Sequence, residues 1–168
     1  LSSIGLALNM EHTVSDDPKL MIALFREVLK RSDVVICGGG LGPTFDDITR
    51  EAWSKVTGRT LEYDPSLVDE IENKFKARGV PMPKENRRQG FVLKGARVIP
   101  NENGTAPGQI LEINKKILIL LPGPSRELFP MMDKFVCPQL HNRFGSWVIV
   151  EKSFHCVGTP ESHIDEII

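Results

Sequence analysis

The chain has 168 residues, 40% hydrophobic and 26% charged, with 21 Lys and Arg against 22 Asp and Glu. That balance fits one globular domain with the start of a second, and a net charge of −1 gives no electrostatic footprint for nucleic acid. No apolar run approaches the roughly 18 residues of a membrane span, and Cys37, Cys137 and Cys156 are odd in number and widely spaced, so the expectation is a reduced, cytoplasmic protein without membrane or nucleic-acid partners.

Leu1 to Leu8 reads as the tail of a helix without its beginning, so upstream sequence is expected. Met10 to Val14 reads as a short strand. Asp17 caps a helix with Pro18 at its first position, where a missing N–H costs nothing. Leu20, Leu24 and Val28, flanked by Met21, Phe25 and Leu29, form its apolar stripe, and Lys30-Arg31 suit its C-terminus. Val34 to Cys37 is a short β-branched run, the pattern of a strand buried on both faces of a parallel sheet.

Gly38, Gly39, Gly40 and Gly42 follow, and glycines allow positive φ and close approach of a ligand. Thr44 is a good N-cap, and Asp47 three residues on resembles a capping box, which places a helix over about Phe45 to Thr57. Gly58 is its natural stop. A glycine loop ending at a helix N-terminus suits a phosphate. Asp46 and Asp47 in that first turn would repel one unless a divalent cation lies between them, which makes the pair candidate metal ligands.

Tyr63-Asp64-Pro65 starts another helix with Leu67, Ile71 and Phe75 on one face, ended by Gly79. Val80 to Pro83 is an extended linker. Lys84 to Gln89 is either a solvated helix turn or the place from which Arg87 or Arg88 reaches a phosphate. Ala96 to Ile99 and Gln109 to Ile113 read as strands. Between them Asn101 to Gly108 is a loop, either an ordinary turn or a ligand wall of backbone groups with Thr105 as its candidate contact. Asn114-Lys115 suits a tight hairpin. Ile117 to Leu121 is the most apolar strand and the expected centre of the sheet.

Pro122 to Glu127 breaks that strand and opens a helix through Leu128, Met131, Met132 and Phe135. Ligands of open parallel sheets bind beyond the carboxyl ends of the strands. The loops at 38–47 and 122–127 are therefore expected to face each other and build one site, with Gly123 and Ser125 among its phosphate contacts. Trp147 to Val150 and Phe154 to Val157 read as strands, and a helix opens at Gly158 to Glu161. Residues from about 146 thus begin a second domain.

The glycine loop lacks the Gly-Lys-Ser/Thr of a Walker A motif, and Pro43 stands where a dinucleotide fingerprint has its third glycine. His12, His141, His155 and His163 form no metal or triad pattern, and Ser125 is not in a nucleophile elbow.

Gly39-Gly-Leu-Gly-Pro-Thr-x-Asp-Asp-x-Thr-Arg-Glu-Ala52 closely resembles the signature of the CinA (competence/damage-inducible) family. Asn86-Arg-Arg-Gln89, Asn101 to Gly108 and Leu121-Pro-Gly-Pro-Ser-Arg-Glu127 match further family motifs in order, the last one residue short after Gly123. The resemblance implies a molybdopterin-binding-like fold, a three-layer α/β/α sandwich with a mostly parallel sheet over residues 1–145. The family's opening strand is absent, and 146–168 resembles the start of a small KH-type domain. The resemblance further implies metal-dependent cleavage of a nucleotide pyrophosphate such as ADP-ribose, with Mg²⁺, Mn²⁺ or Co²⁺ on Asp46 and Asp47.

Two other readings stand beside this one. The first is a molybdopterin-binding or adenylyl-transfer module of molybdenum-cofactor biosynthesis. The second is a non-catalytic nucleotide-binding or oligomerisation domain, since proteins of this fold assemble as dimers or trimers by family analogy.

Overall fold

The computed structural model describes residues 1, 4–145, 157–158 and 161–164. Helix α1 spans Pro18–Arg31; the Asp17 carboxylate caps it by accepting from the N–H groups of Lys19 at 2.7 Å and Leu20 at 3.0 Å. Its buried face is centred on Met21 and Phe25, while Leu20 is 56% exposed. Phe25 stacks on Trp53 of helix α2 (Thr49–Thr57), ring centroids 4.3 Å apart. That pair fixes which part of the wide apolar stripe turns inward.

Strand β1 is Val34–Gly38. After α2 come β2 (Leu61–Tyr63), α3 (Pro65–Ala77), a 3-10 helix (Lys84–Gly90), β3 (Phe91–Leu93), β4 (Arg97–Ile99), β5 (Gly108–Ile113) and β6 (Lys116–Leu121). Helix α4 (Ser125–Met131) continues through a π turn (Met132–Val136) into α5 (Cys137–Phe144), and a short α6 covers Glu161–Ile164. The main sheet has the order β1-β6-β5-β4. β1 and β6 are parallel, with Val34 opposite Ile117 and Gly38 opposite Leu121. β5 is antiparallel to both β6 and β4.

The described sheet is therefore mixed, where a mostly parallel one is expected. The cause is local. Asn114 and Lys115 take φ of 48° and 71°, the left-handed pair of a two-residue hairpin, and such a turn returns the chain antiparallel. A second sheet, β2 against β3, has no counterpart in the sequence reading.

Side chains of the main sheet alternate between two cores. Leu118 and Leu120 of β6 pack with Met21, Phe25, Ala52 and Trp53 on one face. Ile117, Ile119 and Leu121 pack with Met131, Val136 and Leu140 on the other. Helices α1 and α2 cover the first face and the α4–α5 arm covers the second, which makes the three layers. β6 is buried along Ile117–Leu121 and lies between β1 and β5, the central place its apolarity requires.

Three local expectations are corrected. Met10 to Val14 is not a strand: Met10 is 57% exposed, and within the segment only Val14 is half-buried, against the core under α1 and α2. Among the described residues of Leu1 to Leu8, Ile4 N–H donates to the Leu1 carbonyl and Leu6 to Leu8 are not helical. Helix α2 begins at Thr49, not near Phe45. Of the expected second domain, the strands at 147–150 and 154–157 fall almost wholly outside the described residues, and the helix expected after Gly158 is seen as Glu161–Ile164.

Candidate functional site

Parallel pairing of β1 and β6 brings two loops together at their carboxyl ends. Gly39 N–H donates to the Leu121 carbonyl at 2.9 Å. A Cβ on Gly123 would lie 3.3 Å from the Gly39 Cα, so the chains meet backbone to backbone. Loops 38–47 and 122–127 do face each other. Gly40 has φ of 67°, and a Cβ there would fall 2.0 Å from the Thr49 hydroxyl, so this turn requires glycine.

The two acids stand on a turn of their own, ahead of the helix rather than in it. The N–H and hydroxyl of Thr44 donate to Asp47 Oδ2 at 2.9 and 2.5 Å, and Asp47 N–H returns to the Thr44 carbonyl at 3.2 Å. The capping signature is thus satisfied within four residues, and α2 starts with no side-chain cap at Ile48. A Cβ on Gly42 would stand 2.4 Å from Asp47 Oδ2, so Gly42 makes room for that carboxylate. Burial pushes the Asp47 carboxyl up, but the Thr44 hydroxyl and N–H, the Gly42 N–H and the Arg50 guanidinium outweigh it and hold the group below the usual carboxylate range. Asp46 beside it is exposed, and Phe45 at the tip is 91% exposed.

These donors fit a hard divalent cation in part. Asp46 and Asp47 offer carboxylate oxygens, and Mg²⁺ typically takes one or two carboxylates together with waters and substrate phosphates. No group of three or more His, Cys, Asp or Glu is placed to hold a metal among the described residues. The chain would therefore supply a two-carboxylate site that substrate oxygens complete.

The arginines differ from the expected roles. The Arg88 guanidinium donates to the carbonyls of Thr44 at 2.5 Å and Asp47 at 3.3 Å, and to Glu51 Oε1 at 3.0 Å. It therefore braces the acidic turn, where a phosphate contact is expected. Arg87, its neighbour on the 3-10 helix, is exposed. Nor is that helix merely solvated, since Asn86, Gln89 and Gly90 are buried.

Arg50, which the sequence reading overlooked, is only 1% exposed and donates to the carbonyls of Leu41 at 2.7 Å and Gly42 at 3.1 Å. The quoted motif contains it, but nothing in its spacing marks it as buried.

The third wall is the loop 101–107. Lys74 on α3 donates to the carbonyls of Asn101 at 2.5 Å and Gly104 at 2.9 Å. Asn101 Nδ2 donates to the Ala106 carbonyl at 2.9 Å and to Glu127 Oε2 at 2.7 Å, joining this loop to the start of α4. A Cβ on Gly104 would fall 2.0 Å from Glu127 Oε2. Thr105 is half-buried in this loop, and Ser125 is exposed at the first position of α4. Lys74 gives no sign in the sequence, being one of several charged residues along α3, whereas Glu127 closes a motif.

Residues 1–142 match the family described as "Probable molybdopterin binding domain". The crystal structure of a CinA protein of unknown function from Thermoplasma acidophilum superposes with a TM-score of 0.63 at 34% identity, over 70% of this chain and 69% of that one. The chain belongs to the CinA family. A CinA-family relative from Symbiobacterium thermophilum, named "Putative competence-damage inducible protein", is 45% identical over 96% of this chain and 39% of its own length. A protein of that name from Caldicellulosiruptor saccharolyticus is 42% identical over 99% of this chain and 40% of its own. The chain thus spans about two fifths of the length of the curated relatives it matches. A structure of Molybdenum cofactor biosynthesis protein B matches with a TM-score of 0.50 at 20% identity over 84% of this chain, which places the CinA chain in the same fold.

Proposed function

We propose that this CinA-family domain hydrolyses the pyrophosphate bond of a nucleotide, with ADP-ribose as the substrate that the resemblance implies. The observation that carries the reading is the acidic turn: Asp47, locked by Thr44 beside the glycine loop, with the exposed Asp46 next to it, at the point where two strand ends meet. The hydrogen bonds hold the Asp47 carboxyl below the usual carboxylate range, and it offers a fixed oxygen acceptor beside the more exposed Asp46. Together they would hold Mg²⁺, Mn²⁺ or Co²⁺, which when bound neutralises phosphoryl charge and acidifies water. Gly38 to Gly42, Thr105, Gly123 and Ser125 would line the diphosphate, and Arg87 would stand at the rim. Water adds to one phosphorus, the bridging P–O bond breaks, and AMP and ribose 5-phosphate leave. The test is the intact protein with ADP-ribose and each metal in turn. AMP release with at least one metal is expected; intact ADP-ribose under all of them contradicts the reading.

The match to a molybdopterin-binding family model favours a second reading, in which the same pocket binds a pterin or transfers an adenylyl group. A tight, metal-independent complex with molybdopterin and no turnover of ADP-ribose would select it. Binding of ADP-ribose without hydrolysis under any metal would select a nucleotide-binding or oligomerisation domain instead. A homo-oligomer, dimer or trimer, is proposed by family analogy, and a cytoplasmic location by the few, widely spaced cysteines of the sequence.

A further inference from the structure

Three cations lie behind the walls of the site, and each donates to two backbone carbonyls of a site loop. Arg50 takes those of Leu41 and Gly42, Arg88 those of Thr44 and Asp47, and Lys74 those of Asn101 and Gly104. Six acceptor oxygens are thereby occupied. The N–H groups of Gly40, Thr105 and Gly123, by contrast, donate to no backbone acceptor among the described residues. A loop whose carbonyls are tied back and whose N–H groups are open turns backbone donors, not acceptors, toward a ligand, which suits an anion. Carboxylates share the ring: Glu51 pairs with Arg88, Glu127 accepts from Asn101, and Asp46 and Asp47 stand on the turn. The cations therefore do two things, holding loop shape and offsetting that negative charge where phosphoryl oxygens would sit.

We propose that Arg50, Arg88 and Lys74 are positioning residues that tie back the carbonyls of loops 41–47 and 101–104, so that the cleft between them selects a diphosphate. The inference rests on the diphosphate reading of the site and goes beyond it. It assigns the arginine expected to touch phosphate to the loop behind it, and it adds a lysine from a different helix that acts on a different loop.

The predicted signature is local to each loop. Arg88→Met should speed amide exchange in residues 38–47 by about tenfold or more and leave 101–107 unchanged, and Lys74→Met should do the reverse. Both should weaken binding of inorganic pyrophosphate by about tenfold or more, with adenosine binding unaltered. Arg88→Lys and Lys74→Arg should restore part of that loss, because a cation is kept. Arg88 and Lys74 are chosen because they are more exposed than the fully buried Arg50, whose replacement would disturb the core as well as the loop. The probe is pyrophosphate with Mg²⁺ titrated by calorimetry against the intact protein, with exchange read in the absence of any ligand. Variants that bind pyrophosphate as well as the wild type, or whose loops exchange at the wild-type rate, overturn the inference alone. A wild type that binds no pyrophosphate overturns the diphosphate reading as well.

Discussion

Asp47 is the residue on which the local chemistry turns. Its carboxylate closes the 44–47 turn through the Thr44 N–H and hydroxyl, and its folded-state pKa lies below the unfolded value of 3.8. A depressed carboxylate stabilises the fold above its unfolded pKa and loses that contribution as the pH falls through the folded value. Asp47→Asn should therefore cost about 1 kcal/mol at pH 7, roughly 2–4 °C in melting temperature. The deficit should shrink as the pH is taken below about 4. Thermal melts of both proteins from pH 7 to pH 2.5 check this; a deficit independent of pH contradicts the assigned bonds. The acids were legible in the sequence because two adjacent carboxylates after four glycines conflict with an anion loop unless they have a role. The place of Arg88 was not. Neighbouring arginines on a short helix look alike in sequence, and only the turn packed against them separates the brace from the exposed side chain.

Among the elements, the β5–β6 hairpin carries a measurable strain. Lys115 holds φ of 71°, a conformation that costs a side-chain-bearing residue and that glycine adopts freely. Lys115→Gly converts the turn to the favoured Asn-Gly pair and should stabilise the protein by about 0.5–1 kcal/mol, read from a urea midpoint that rises with an unchanged slope. The hairpin was legible because its turn residues carry their own instruction. The start of α2 departs from its expected place for a related reason. Thr44 and Asp47 have the spacing of a capping box, and the same bonds close an isolated turn. Sequence spacing does not say whether helix follows at once; here the chain runs to Thr49, whose N–H then meets the Gly40 carbonyl at 3.2 Å.

Across the whole molecule, β6 sets the architecture, since its alternate residues seat both layers of helices. Ile119 is 1% exposed in the core against α4 and α5, and Ile119→Ala should cost about 3–4 kcal/mol, measured by chemical denaturation. A loss below about 1 kcal/mol would mean the strand is not central. Apolarity alone placed Ile117–Leu121 at the centre, yet it says nothing of strand direction, so the mixed sheet emerged only with the pairing. The short β2–β3 sheet went unseen because three-residue strands carry too few alternations to register. The site follows the same division. Its two facing loops were legible as strand–turn–helix units, while its braces come from residues as far apart as Lys74 and Gly104, or Asn101 and Glu127, which only the folded chain brings together.

The acidic turn is the account's central claim, and AMP release from ADP-ribose by the intact protein tests it most directly. With Mg²⁺, Mn²⁺ or Co²⁺ supplied, the wild type should form AMP, and Asp46→Asn and Asp47→Asn should each slow it by about 100-fold or more while remaining folded. AMP formed at the wild-type rate by the double variant would contradict the account.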